Sequence, residues 1–167
     1  MSEASGGSAV RRILFLCTGN TCRSPLAEVI ARDAANRLGL DLEFRSAGIA
    51  ALEGAPTSEG AGIVARAHGL DLGAHNARQF TLERANGFDL ILAMDRVHLE
   101  VAESIAPAVP RRLITDYLPE QDARRGTSVP DPFGGWTDRY EEAYQLIEPS
   151  ITAFLESPEI DASSDAW

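Results

Sequence analysis

Cys17 and Arg23 stand at the two ends of a short polar stretch, Cys17-Thr18-Gly19-Asn20-Thr21-Cys22-Arg23, followed directly by Ser24-Pro25. The apolar run Ile13-Leu14-Phe15-Leu16 leads in, and an amphipathic pattern starting at Ser24-Pro25-Leu26-Ala27-Glu28 leads out. A strand that stops at a small polar loop and restarts as a helix aims several backbone N–H groups into the loop, with the positive helix end behind them. Such a loop binds oxyanions. Arginine at its close offers a planar fork matched to phosphate oxygens. The same positive surroundings favour thiolate over thiol at Cys17, so one loop supplies a nucleophile and a phosphate cradle. Ser24 has two readings, as a helix N-cap and as a hydroxyl turned toward the Cys17 sulfur, and both can hold together.

Cleaving a phosphate ester with a thiol also requires an acid for the leaving group and a water to release the covalent intermediate. The acid is expected in the long segment from Leu118 to Trp136, where Pro, Gly and charge accumulate, because loops of that length in a small domain are often functional. Asp116, Asp122 and Asp131 are the candidates. Asp131 is preferred because Pro132 holds it extended, Phe133 adds an aromatic wall, and Gly134-Gly135 permits movement.

The elements that must position these groups alternate. Residues 13–17 read as a central strand buried on both faces, and 24–38 as a helix with Pro25 in its first turn. Strands follow at 42–46, 88–94 and 112–115, and helices at 57–68, near Leu82, after Asp95, and at 140–155. Asp95 is expected to cap its helix, and Pro149 to kink or divide the last one. His68 and His98 are expected on helix surfaces. This order predicts an α/β, doubly wound, single three-layer domain with a four-stranded parallel sheet and helices on both faces. In that architecture ligands bind beyond the carboxyl ends of the strands, where Cys17 lies. The expected layout is a disordered tail over 1–10, the domain over 11–156 and a loose acidic tail over 157–167.

Composition narrows the function classes. The chain has 167 residues and a formal net charge of −10, which argues against nucleic-acid binding, since counterion release needs a basic face. Without a long apolar run or a signal-peptide pattern, a cytoplasmic protein with no membrane partner is expected, acting as a monomer. The 2 cysteines share one loop, which fits a reactive thiol rather than a disulfide scaffold. Cys22 is read either as a packing residue or as a reversible disulfide partner for Cys17. No cofactor and no metal is expected.

Cys17 to Arg23 with Ser24-Pro25-Leu26-Ala27-Glu28, and Asp131-Pro132-Phe133, resemble the low-molecular-weight protein tyrosine phosphatase family. Ser46-Ala47-Gly48, His75 with Ala77-Arg78-Gln79, and Ile91-Leu92-Ala93-Met94-Asp95 resemble further family segments in the same order. The resemblance implies Cys17 as nucleophile, Arg23 as phosphate clamp and Asp131 as general acid and then base. It implies a phosphate loop of Thr18, Gly19, Asn20, Thr21, Cys22, Arg23 and Ser24, braced by Asn20 with Ser46, His75 and Asp95. It further implies a substrate wall of Thr21, Ala50, Leu52 and Phe133, and a phosphorylated protein or inorganic phosphate as partner. Thr21 stands where many members carry an aliphatic residue, and with Asp131-Pro132-Phe133-Gly134-Gly135 it is similar to the bacterial protein arginine phosphatase branch. A hydroxyl there meets a polar guanidinium, whereas a methyl-rich wall suits a phenol ring. Phosphoarginine is therefore expected ahead of phosphotyrosine. An arsenate reductase would normally need distant resolving cysteines, which this chain lacks, and a phosphate-binding module would need neither nucleophile nor acid.

Overall fold

The computed structural model describes residues 9–160. Four parallel strands, β1 (Arg12–Cys17), β2 (Glu43–Gly48), β3 (Leu90–Ala93) and β4 (Arg111–Leu113), lie in the order β2-β1-β3-β4. The connecting helices are α1 (Arg23–Arg37), α2 (Glu59–Ala67), α3 (Leu82–Ala85), α4 (Arg96–Ile105) and α5 (Thr137–Leu155). This is the expected architecture, with boundaries displaced by a few residues. The largest displacement is at α5, which begins at Thr137 rather than at residue 140, and β4 ends at Leu113 because Ile114–Tyr117 tightens into a 3-10 turn.

The apolar runs are continuous because both faces of the sheet are covered. Ile13, Phe15 and Cys17 of β1 and Leu90 and Leu92 of β3 face one side, where they pack under Leu26 and Ile30 of α1 and Ile147, Ile151 and Phe154 of α5. Leu14, Leu16 and Ile91 face the other, against Phe80, Ala102 and Ala106. Burying a side chain such as Phe15 or Ile13 contributes about 2 kcal/mol each, and these two are fully buried.

Pro149 does not divide the last helix: α5 runs unbroken over 19 residues. The carbonyl four residues back, that of Gln145, loses its helical partner to the proline ring and accepts Arg124 Nη1 at 3.3 Å instead. Ser150 Oγ also donates to the Leu146 carbonyl at 2.8 Å. A side-chain donor from a neighbouring segment thus replaces the missing amide.

The folded unit extends further than 11–156. The Val10 amide donates to the Glu159 carbonyl at 3.1 Å, and Ile160 is buried in the main core. The rest of the two expected tails, 1–8 and 161–167, lies outside the described residues.

Candidate active site

The two halves of the sheet diverge at β1, since the chain goes from β1 outward to β2 and then returns to β3 on the other side. Cys17 is the last residue of β1, at that switch point, and α1 begins only at Arg23. The carbonyls between them are pulled outward. Cys17 O accepts the Ile49 amide at 3.0 Å and Thr18 O the Ala50 amide at 2.9 Å. Asn20 O accepts His75 Nε2 at 2.8 Å, and Thr21 O accepts both the amide and the hydroxyl of Ser58, at 2.9 and 3.0 Å. In a trans peptide the N–H points opposite to the C=O, so the amides of Thr18, Gly19, Thr21 and Cys22 turn toward the loop's interior. Held in this way, the carbonyls leave these amides free to face an anion at the centre of the loop.

Asn20 makes this bend possible. Its φ is 56°, a left-handed conformation that asparagine tolerates better than most residues. It is held there on every polar atom of its fully buried side chain. Nδ2 donates to Ser24 Oγ at 2.8 Å and to Ser46 Oγ at 3.0 Å, and Oδ1 accepts the Arg78 amide at 2.9 Å. Ser46, His75 and Asn20 therefore meet as expected. Gly48 is required for the same reason of space. A Cβ there would lie 2.5 Å from the Thr18 carbonyl oxygen and 2.9 Å from the Asn20 nitrogen, both backbone atoms of the loop. Gly48→Ala is expected to cost about 2 kcal/mol of stability as an overpacked site, and to weaken inorganic phosphate binding. Thermal unfolding and a phosphate titration check this; unchanged values would mean that the loop yields freely.

Cys17 is buried, and Ser24 Oγ lies 2.9 Å from its Sγ. The helix N-cap position belongs to Cys22, which settles the two readings of Ser24 in favour of the sulfur. Because Ser24 Oγ already accepts Asn20 Nδ2–H, its own hydrogen is available to a thiolate. Arg23, 3% exposed, donates from Nη1 to the Val129 carbonyl at 3.0 Å. Val129 is in turn anchored by its amide to the Met94 carbonyl at 2.8 Å. That anchor carries the late loop to the mouth of the site. Asp131 follows, with Oδ1 accepting the Phe133 amide at 3.1 Å in a tight side-chain turn and Oδ2 lying 3.7 Å from Arg23 Nη2. The carboxylate is half exposed, so its pairing with Arg23 is weak and either partner can turn to a ligand.

Together these groups line a cavity of about 180 Å³, walled by Cys17, Thr18, Thr21, Arg23, Asp131 and Phe133. A larger cavity, about 430 Å³, opens at the β2 edge beneath the brace, but neither cysteine lines it. There Arg12 and Arg45 are paired with Glu43, and Arg32 with Glu28. No cluster of three or more potential metal-ligating acids, histidines or cysteines occurs among the described residues.

Three expected placements change. Ala50 and Leu52 do not line the cavity; after Ala50 is tied to the Thr18 carbonyl the chain turns outward, leaving Leu52 77% exposed. Asp95 occupies the N-cap position of α4, but its side chain makes no capping hydrogen bond, and the phosphate loop is braced by Ser46, His75 and Ser58 instead. Burial pushes its carboxyl up, while the neighbouring Ser128 hydroxyl and the first amides of the helix outweigh that and hold it below the usual carboxylate range. His98 is not a surface residue. It is fully buried, with Nε2 2.9 Å from Thr18 Oγ1, while Thr18 Oγ1 also accepts Arg23 Nη2 at 3.4 Å. Burial and then the Arg23 charge push the imidazole from 6.5 down to about 4, so it is neutral at physiological pH. Since the unfolded chain protonates nearer 6.5, His98 withdraws stability as pH falls through this window. The sequence clue was its place on α4 three residues after Asp95, on the turn that faces the end of β1. His68, by contrast, stacks on Tyr144 and contacts Glu141.

Both thiols are free. Cys22 Sγ contacts Ser58 Oγ at 3.0 Å, and burial pushes its thiol up, which keeps it protonated and suited to packing.

The family model described as low molecular weight phosphotyrosine protein phosphatase matches residues 12–164. A low molecular weight protein-tyrosine-phosphatase of Streptomyces coelicolor is 37% identical over 153 residues, covering 86% of this chain and 91% of the relative. The crystal structure of the tyrosine phosphatase Wzb from Escherichia coli K30 in complex with sulphate aligns with a TM-score of 0.77 at 34% identity, covering 88% of this chain and 97% of Wzb. A cysteine-to-serine variant of the YwlE arginine phosphatase, with a phosphorylated active-site serine, aligns with a TM-score of 0.81 at 29% identity, covering 90% of this chain and 97% of YwlE.

Proposed function

The chain belongs to the low molecular weight phosphotyrosine protein phosphatase family, and from that premise we propose that it removes phosphate from arginine side chains of proteins through a phosphocysteine intermediate. The Cys17 thiolate attacks phosphorus while the inward amides and the Arg23 guanidinium hold the three non-bridging oxygens. As the bond from phosphorus to the leaving nitrogen breaks, Asp131 gives that nitrogen its proton. A water then attacks the phosphocysteine, Asp131 takes a proton from it, and the sulfur–phosphorus bond breaks to release phosphate and restore the thiolate. Ser24, donating to sulfur, lowers the energy of the thiolate both as nucleophile and as leaving group.

One observation supports arginine over tyrosine. Thr21 lines the cavity, and among the described residues its hydroxyl has a single, long hydrogen-bond contact, 3.6 Å to Cys22 Sγ. It is therefore available to a polar leaving group, whereas an aliphatic side chain would offer only apolar surface. The exposed Phe133 ring and the names of the tyrosine-phosphatase relatives favour the second reading, phosphotyrosine.

A two-substrate comparison separates them. Wild type is expected to have the higher kcat/KM on a phosphoarginine peptide than on a phosphotyrosine peptide of the same sequence. Thr21→Ile is expected to shift that ratio toward phosphotyrosine by about tenfold or more, the scale of one polar contact in a pocket. A ratio unmoved by the substitution would remove the reason for preferring arginine, and a wild-type preference for phosphotyrosine would establish the second reading.

No helix among the described residues is long and apolar enough to cross a membrane.

A further inference from the structure

The partly buried Thr18 and the fully buried His98 form a polar pair that the mechanism above does not use. His98 sits in the first turn of α4, fully buried, with Nε2 2.9 Å from Thr18 Oγ1. Its other ring nitrogen, Nδ1, is buried and has no hydrogen-bond partner among the described residues. Only one nitrogen of a neutral imidazole carries hydrogen. If Nδ1 carried it, a buried N–H would be orphaned, which native proteins rarely accept; a bare lone pair at Nδ1 is the cheaper state. The hydrogen therefore sits on Nε2 and is donated to Thr18 Oγ1.

Thr18 Oγ1 then receives two donors, His98 Nε2–H at 2.9 Å and Arg23 Nη2–H at 3.4 Å. A hydroxyl oxygen has two lone pairs and one hydrogen. With both lone pairs occupied, the hydroxyl hydrogen must be given elsewhere. Thr18 lines the cavity next to Cys17, Gly19 and Arg23, where a phosphoryl group would be held.

We propose that His98 fixes Thr18 as a hydroxyl donor to the bound phosphoryl oxygen, adding a side-chain donor to the ring of backbone amides. Thr18 touches the oxyanion, and His98 is a positioning residue acting through it. The proposal rests on the phosphatase reading of the site. It also explains why a histidine is buried beside an arginine. Arg23, Asp95 and Asp131 are the charged groups around it, and Arg23 disfavours the doubly protonated ring, which keeps the single-donor tautomer dominant.

Two measurements on the intact chain test this. In the first, nitrogen NMR of labelled protein at pH 7 is expected to show His98 neutral with hydrogen on Nε2; hydrogen on Nδ1 overturns the proposal. In the second, inorganic phosphate is titrated into variants. Thr18→Val and His98→Phe are each expected to weaken phosphate binding about tenfold, the scale of one hydrogen bond to a charged group. Thr18→Ser and His98→Gln, which restore a hydroxyl and a donor, are expected to bind within a few-fold of wild type. The double variant Thr18→Val/His98→Phe is expected to bind no more weakly than either single one, because both remove the same contact. Additive losses, or a Thr18→Val variant that binds like wild type, overturn the proposal. If His98→Phe fails to fold, the Thr18→Val and Thr18→Ser pair and the tautomer still decide. Neither readout uses turnover, so catalysis that survived loss of the Cys17 thiol would overturn the phosphatase mechanism separately.

Discussion

Cys17→Ser will abolish turnover, by a factor on the order of 10⁴ or more, while inorganic phosphate still binds. The two halves of this result have different causes. Turnover requires a sulfur anion in line with phosphorus, and a serine hydroxyl in the same place is far less acidic and has only Ser24 Oγ beside it, with no general base. Binding depends on the inward amides and on Arg23, and these are held by contacts outside the sulfur: Asn20 to Ser46 and His75, Arg23 to Val129. Steady-state rates with a phosphorylated peptide, beside a phosphate titration, check both halves. Near wild-type turnover would remove the nucleophile assignment. Phosphate binding lost together with turnover would mean that the thiol is part of the frame of the loop.

Asp131→Asn is expected to reduce kcat by about 10² to 10⁴ for substrates with poor leaving groups, and much less for those with good ones. A leaving group that is stable as an anion does not need a proton, so only the poor ones depend on the acid. The geometry makes the variant a clean one. The substituted amide would keep the turn to the Phe133 N–H through its own carbonyl oxygen, and the buried Arg23, which loses the carboxylate 3.7 Å away, keeps its hydrogen bonds to the Val129 carbonyl and Thr18 Oγ1. A series of aryl phosphates spanning leaving-group acidity, with kcat/KM measured on each, reads the slope. A uniform loss across the series would show that residue 131 serves position or charge and transfers no proton.

Much of this protein is readable without coordinates because its chemistry is local in sequence. Cys17 to Ser24 lie in one loop between a strand and a helix, so their types and spacing already imply a phosphate cradle. The segments 13–17 and 88–94 read as buried strands because apolar residues run through them with little interruption. Asp131-Pro132 reads as an extended acid for the same short-range reason. The α/β order, and with it the position of Cys17 at a strand end, follows from elements that each declare themselves within a few residues.

What escapes the sequence depends on pairs far apart in the chain. His98 reads as a surface histidine because helical spacing shows which residues share a face, but not which element will cover that face. It is buried because β3 lies beside β1 and brings the start of α4 against residue 18. Asp95 reads as a brace of the phosphate loop, but the groups that hold Asn20 and Thr21 come from far along the chain, Ser46, His75 and Ser58. Pro149 leaves α5 whole, and nothing nearby in the chain announces that Arg124 will take the carbonyl it strands. Residue types and short spacings alone carried the proposed assignments of nucleophile, cradle and acid. Which side chains hold them in register was decided by strand order and loop anchoring, because a hydrogen bond depends on distance in space, and the chain alone does not state that distance.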